Sequence, residues 1–390
     1  MRIAVLNPQP DPLSSKNWSG TPRGIADGLA GRGVEVVPIG TKLPQGLHQL
    51  VAVASRIGGQ RGAVADRTPV RQRSRTWALR RHLDGAGPLD AIVAMGQETF
   101  DLARLRRPGV PILTYDDTTL RQMWQHPDSD IRSAGFPERA VDLWCARQQA
   151  SSRAADLCCV STEWAAGSFI TDYGLAPERV RVVGIGHRPR ARDTTQARDW
   201  DTPRFLFVGV DWRRKNGDAV VRAFRRVRQT HPGATLDLVG NHPRVDEPGV
   251  RGHGFLAREN AHSQARLDAL FARATAFVLP SRFDPAGIAY LEAASAGLAV
   301  IGTSQGGASE LLGTAAITVH PDDDSALAAA LERISSPAEA QSLGQRAAAI
   351  AARSRWVDVA DRILAAIDSS PVRMRPDLTG SPMTEEETSW

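Results

Sequence analysis

The sequence predicts an α/β protein made of two doubly wound, parallel-sheet domains. Three observations carry that expectation. The chain has 390 residues, beyond the roughly 250–300 at which a single core stops growing. Short apolar runs alternate with helix-period segments in both halves, the pattern of βαβ units. Between the two series, HRPRARDTTQARDWDTP (187–203) has almost no apolar periodicity and reads as a linker. The expected domains are therefore 1–187 and 204–353, joined by a linker over 188–203.

The elements follow in order. Ile3 to Leu6 is a short apolar strand, followed by a long polar loop through Ser19-Gly20. Thr21-Pro22 reads as an N-cap with proline at the first helical position, where its missing N–H costs nothing. Ile25 and Leu29 share a helix face, Gly33 ends the helix, and VEVVPI is the second strand. DAIVAM (90–95), VPILTY (110–115) and ADLCCVS (155–161) extend the series, the last leading into a helix near Glu163. In the second half FLFVG (205–209) precedes a helix from about Asp218, with Val221, Phe224 and Val227 on one face. TLDLVG (235–240) is a strand, and Leu267, Leu270, Phe271 and Ala274 face the core from another helix. AFVLP (276–280) follows, and AVIGT (299–303) is the last clear strand. Helices are expected near 325–334, near 338–353 and over SRWVDVADRILAAID, with a disordered tail over 370–390.

Composition narrows the function classes. With 42% hydrophobic and 23% charged residues the chain reads as a soluble globular protein. No apolar run reaches the roughly 18–20 residues of a membrane helix, and MRIAVLNPQPDP lacks a signal-peptide core. Cys145, Cys158 and Cys159 form no CxxC pair, which fits a reducing, cytoplasmic setting without structural zinc. The net charge is +5. Much of the excess lies in RIGGQRGAVADRTPVRQRSRTWALRRH (56–82), which has eight arginines and one acid, Asp66. Its plainest reading is a solvated face. Trp77 and Leu79 would also let the stretch around Arg71–Arg81 rest on an anionic membrane, and no specific nucleic-acid partner is expected.

The chemistry concentrates in PSRFDPAGIAYLEAASAGLAV (280–300). The strand AFVLP ends at Pro280, so Ser281 to Ala286 form the loop at its carboxyl end, where ligands of parallel sheets bind. Gly287 opens a helix, and a phosphate can approach the N–H groups of Gly287 and Ile288 there. Glu292, one to two turns in, can accept from a ribose diol, and Asp284 can accept from hydroxyls beyond the phosphate. The two acids then bracket a nucleotide diphosphate rather than act as an acid/base pair. On spacing alone Asp284 also reads as a cap and Glu292 as a solvated helix residue. FVGVDWRRKNGD (207–218) supplies Arg213, Arg214 and Lys215 after another strand end, a cationic clamp for a diphosphate leaving group.

As a combination these segments resemble the retaining glycosyltransferases of family 4, which have the GT-B fold. That fold consists of two Rossmann-like domains facing each other across a cleft. The resemblance implies that Glu292 holds ribose and Asp284 sugar hydroxyls, within an acidic-x7-Glu signature whose first member is usually Glu. It makes Ala286, where the family usually has Phe, a donor contact. Lys215 keeps the family's spacing from Gly209, while Val210 stands where an arginine is usual, so the arginine duty passes to Arg214 or Arg213. GHGFL (252–256) resembles the loop that reads the base near Phe255 and Leu256. SQGGASE (304–310) resembles the loop before the donor-flanking Glu310. Ser19, Gly20 and Thr21 stand for the Gly-Gly loop that touches donor phosphates or acceptor. In TYDDTT, Asp116 occupies the family's histidine position and Asp117 its aspartate, so a histidine-dependent mechanism is not expected.

The implied co-substrates are a nucleotide-diphosphate sugar and a hydroxyl acceptor, with no cofactor. His242, His253 and His262 lack ligand spacing, so no metal is expected. The helix around Trp356 to Ile367 would cross back onto the N-terminal domain. Two rival readings are a nucleotide-sugar epimerase on the same fold and a basic nucleic-acid- or membrane-binding protein.

Overall fold

The computed structural model describes residues 1–42, 67–190 and 198–373. The first half forms a six-stranded parallel sheet of β1 (Arg2–Leu6), β2 (Glu35–Ile39), β3 (Ala91–Ala94), β4 (Ile112–Asp116), β5 (Leu157–Val160) and β6 (Val180–Val182), in the order β2-β1-β3-β4-β5-β6. The second half repeats the design with β7 (Arg204–Val208), β8 (Thr235–Val239), β9 (Val250–Gly252), β10 (Ala276–Val278), β11 (Ala299–Thr303) and β12 (Ile317–Val319), ordered β12-β11-β10-β7-β8-β9. Residues of β1, β3, β4, β7, β10 and β11 are almost entirely buried, as parallel strands covered on both faces must be.

The described helices are α1 (Thr21–Ala30), α2 (Pro69–Asp84), α3 (Leu120–Gln125), α4 (Asp130–Ser133), α5 (Glu138–Ala154) and α6 (Glu163–Thr171) in the first half. α7 (Gly217–Thr230), α8 (Ala261–Arg273), α9 (Ile288–Ser295), α10 (Asp324–Ile334), α11 (Pro337–Ala351) and α12 (Trp356–Asp368) follow. β6, β9, β12, α3, α4 and α5 are additions to the elements legible in the sequence. The three strands have three residues each, too few for a period-2 pattern to stand out. Among the described residues no helix is long and apolar enough to cross a membrane. The tail from residue 374 and the part of the arginine-rich stretch before Arg67 lie outside the described residues.

Two local outcomes differ from the sequence expectation. Thr21 is not the N-cap of α1; Gly20 is, in the left-handed region at φ 86°, with no side-chain cap. Trp18 (φ 45°) and Ser19 (φ 55°) are left-handed too, and such conformations in non-glycine residues cost of order 1–3 kcal/mol each and cluster at functional sites. The second difference lies in the linker, where Arg190 is buried rather than solvated.

α12 follows the second sheet in sequence but packs on the first. Val359, Ala360, Ile363 and Ile367 join one core with Val5, Ile25 and Leu29. The Trp356 indole fills a notch left by two glycines; a Cβ on Gly24 would lie 2.1 Å, and on Gly186 2.3 Å, from its ring. Arg32, in the turn after α1, also donates twice to Asp361 on α12, at 2.6 Å each.

Candidate active site

The loops at the carboxyl ends of the two sheets meet across a cleft. Among the described residues the contacts that cross it include Arg214 Nε to Asp130 Oδ1 at 2.9 Å, the His126 ring on Phe283 at 4.5 Å, Ser15 donating to Glu259 at 2.8 Å, and the Trp164 N–H donating to Glu310 at 3.2 Å. Between them lies a cavity of about 400 Å³ lined by Trp18, Ser19, Thr21, Asp117 and Asp130 from the first half. Gly209, Arg214, Lys215, Arg258, Asp284 and Ala286 to Ala289 line it from the second half, together with Glu292.

Asp284 and Lys215 form the charged centre. Lys215 Nζ lies 2.5 Å from Asp284 Oδ2, and Ser281 donates to the same oxygen at 3.3 Å. Asp284 Oδ1 accepts the Gly287 N–H at 3.1 Å. Gly287 caps α9 in the left-handed region, at φ 53°. Its N–H is therefore engaged, and the open donors at the start of α9 belong to the residues after it. Gly306 backs the Asp284 main chain so closely that a Cβ would sit 2.4 Å from the Asp284 carbonyl oxygen. Burial raises the Asp284 carboxyl, but Lys215 outweighs it and holds the group below its usual range. Burial lowers the Lys215 ammonium, against the pull of Asp284.

Glu292 sits at the other end, 3% exposed. Its Oε2 accepts from Arg190 Nη2 at 2.8 Å, while its Oε1 is buried with no partner among the described residues. Glu292, Ile288, Ser19 and Arg258 also line a second cavity of about 610 Å³ that adds Gly20, Arg188, Arg190 and Gln264, so the cleft continues past Glu292.

On the first sheet's side a third cavity, of about 560 Å³, holds Asn7, Arg67, Glu98, Asp116 and Phe136. Asp117, Thr118, Trp18, Met123 and Asp130 line both this space and the central cavity. Asp117 thus stands at the junction. Burial lifts its carboxyl to about 7; the Trp18 indole N–H, donating at 2.8 Å, holds it down, and Asp284 pushes it up. Asp116 is turned away from the central cavity, between the amides of Gln97 (2.5 Å) and Gln148 (3.3 Å). Burial drives its carboxyl well above the usual range, against the Gln97 hydrogen bond.

The structure thus gathers Lys215, Arg214, Asp284, Ala286, Gly287, Ile288, Glu292, Ser19, Thr21 and Asp117 around one volume. Gly20 lies on the adjoining cavity and Asp116 on the third. Arg213 is exposed and outside the lining, whereas Arg214 lines the cavity. Phe255, 59% exposed, and Leu256, packed against the second core, do not line the central cavity either. Sequence reasoning missed Arg190, Trp18, Asp130 and Arg258. Of these only Trp18, a lone aromatic beside Ser19-Gly20 in a polar loop, carried a readable signal. His253 donates from Nε2 to Asp237 (2.6 Å) and faces Arg266 through Nδ1 (2.8 Å).

The class of protein follows from this architecture and from two matches. Residues 21–186 match the glycosyl transferase 4-like domain and residues 202–336 the glycosyl transferases of group 1. The chain belongs to this glycosyltransferase family, family 4, with the GT-B fold. It is 37% identical over 145 residues to a glycogen synthase of Mycobacterium tuberculosis, covering 35% of each chain. It is 29% identical over 237 residues to a D-inositol 3-phosphate glycosyltransferase of Acidothermus cellulolyticus, covering 54% of this chain and 52% of that one. The chain thus spans about a third and about half of the lengths of these relatives. In fold it is similar to sucrose-phosphate synthase from Thermosynechococcus elongatus, with a TM-score of 0.67 at 18% identity, covering 94% of this chain and 98% of that one. WaaG, a glycosyltransferase involved in lipopolysaccharide biosynthesis, has a TM-score of 0.63 at 16% identity, with 95% and 100% covered.

Proposed function

We propose that the protein transfers a sugar from a nucleotide-diphosphate sugar to a hydroxyl acceptor, with retention of configuration. The observation that carries this reading is a single cavity with an unpartnered carboxylate oxygen of Glu292 at one end and the Lys215–Asp284 pair at the other. Donor ribose hydroxyls supply the hydrogen bond that Glu292 Oε1 lacks. The diphosphate lies against the first turn of α9, where free N–H groups and the helix dipole favour an anion. Asp284 accepts from sugar hydroxyls.

In the transfer step the acceptor oxygen bonds to the anomeric carbon on the face the diphosphate leaves. The carbon–oxygen bond to phosphate breaks, and the departing phosphate takes the hydroxyl proton. Lys215 and Arg214 stabilise the charge that develops on the diphosphate. Asp117, shared by the donor cavity and the space on the first sheet's side, accepts a hydrogen bond from the acceptor hydroxyl and orients it. With Lys215 and Arg214 available to neutralise the diphosphate, the reaction is read as metal-independent, and turnover is expected to survive EDTA. The three cysteines, all free and buried, suit the proposed cytoplasmic setting. The exposed side of α2, with Val70, Arg73, Trp77, Arg80 and Arg81, is proposed as a peripheral membrane contact.

A thermal-shift panel of UDP, GDP, ADP and dTDP with their common sugars tests the donor site. A ligand at 100 times its Kd stabilises by about 2.7 kcal/mol. One base standing out, with the shift lost in Glu292→Ala, is the expected result. No shift from any nucleotide would overturn the reading.

A further inference from the structure

We propose that Arg190 is the positioning residue for the donor's nucleoside end, holding Glu292 so that one carboxylate oxygen is presented to the cleft; the inference rests on the donor-site reading above. Arg190 belongs to the segment that joins the two sheets and is 5% exposed. Its guanidinium lies 4.9 Å over the Phe271 ring. Nη2 meets Glu292 Oε2 at 2.8 Å, while Nη1 meets Asp268 Oδ1 at 2.8 Å and Gln264 Oε1 at 3.3 Å. The main chain is fastened to the same helix: the Arg190 N–H donates to Ser295 Oγ at 3.0 Å, and that hydroxyl donates to the Glu292 carbonyl at 2.7 Å.

This geometry is more than a packing device. A planar fork can engage two carboxylates and an amide at fixed angles, which an ammonium cannot. The fork takes only Oε2 and leaves Oε1 of Glu292 buried with no partner among the described residues. A desolvated, unpaired oxygen of this kind costs stability, and a ligand hydroxyl at the cavity removes that cost. Arg190 therefore selects which oxygen faces the donor and fixes its direction. Since it sits where the chain crosses between domains, it also ties the nucleoside end of the site to the interdomain segment.

The test is calorimetric titration of UDP, GDP, ADP and dTDP into wild type, Arg190→Met, Arg190→Lys, Glu292→Ala and the Arg190→Met/Glu292→Ala pair. The nucleotide that wild type binds is expected to lose at least tenfold in affinity with Arg190→Met and less with Arg190→Lys. In the Glu292→Ala background Arg190→Met is expected to cost less than twofold more, because its effect runs through Glu292. A purely structural arginine would cost the same in both backgrounds, and that result would overturn the proposal, as would Arg190→Met binding within twofold of wild type. Should Arg190→Met not fold, Arg190→Lys, which keeps the buried charge, runs the same cycle. If wild type binds none of the four, the donor-site reading falls and this inference with it. If Glu292→Ala loses binding and Arg190→Met keeps it, only this inference falls.

Discussion

Lys215 and Asp284 come from loops after β7 and β10 and meet at 2.5 Å in the cleft, each largely shielded from solvent. The central cation of the site is thus neutralised by the acid beside it before any ligand arrives. Under the proposed function, an incoming diphosphate shares or displaces that partner, which would couple the phosphate end of the donor to the group proposed to face its sugar.

Replacing Lys215 separates those two roles. Lys215→Met is expected to lower turnover about 10²–10³-fold, the loss typical of a donor aimed at developing charge. It also leaves Asp284 buried without its counter-ion, a change that costs about 3–5 kcal/mol. The double variant Lys215→Met/Asp284→Asn should recover most of the melting temperature and none of the activity. Turnover within a few-fold of wild type in Lys215→Met would remove Lys215 from the clamp.

Asp117 predicts a pH limb. Its carboxyl is raised to about 7, first by burial, with the Trp18 N–H acting against and Asp284 with it. If the carboxylate orients the acceptor, turnover rises as pH climbs through about 7. The Trp18→Phe variant, lacking the N–H that holds the value down, shifts that limb to higher pH, and Asp117→Asn abolishes it. Stability runs the opposite way. A raised carboxyl makes the folded state bind more protons between the unfolded value, about 3.9, and about 7. Its contribution is full below that window and lost as pH rises through it. The pH dependence of the melting temperature should flatten over this range in Asp117→Asn; an unchanged slope would discard the assignment.

The crossover helix gives a paired stability test. Gly24 faces the Trp356 ring, with 2.1 Å available to a Cβ, whereas Gly167 inside α6 has nothing within 4 Å. Gly24→Ala should destabilise by about 1–3 kcal/mol through overpacking. Gly167→Ala should be neutral or stabilise by up to about 1 kcal/mol, from helix propensity alone. Thermal melts of the two variants decide it; equal effects would mean that α12 does not hold this position on α1.

The α2 surface makes a separate claim. Trp77 is 45% exposed, with Arg81 stacked at 5.6 Å. Each basic residue near an anionic surface contributes about 1 kcal/mol, so the triple variant Arg73→Gln/Arg80→Gln/Arg81→Gln should lower partition onto phosphatidylserine vesicles by about two orders of magnitude. Equal co-sedimentation of wild type and variant with such vesicles would dismiss the membrane contact.

Much of the fold was readable from local pattern. Strands such as AIVA, FLFV and AVIGT are continuous apolar runs because parallel strands are covered on both faces. α7 and α12 carry their apolar residues at helical spacing. The three-residue edge strands were not readable, since their pairing rather than their composition makes them strands. In the site, Asp284, Gly287, Glu292 and Lys215 were legible because a strand end followed by a glycine-opened helix is itself a chemical signal.

The sequence by itself determined the class: two βα series, a charged loop after a strand in the second, and two acids eight positions apart around a helix start. Only the tertiary structure decided how the charges are spent. It paired Lys215 with Asp284, drew Arg190 out of a polar linker onto Glu292, set Asp117 rather than Asp116 at the junction of two cavities, and left Arg213 outside. The reason is range. Helix and strand periodicity acts over a few residues, whereas these ion pairs join groups 69 and 102 positions apart, and their partners are chosen by which loops the two sheets bring to one cleft.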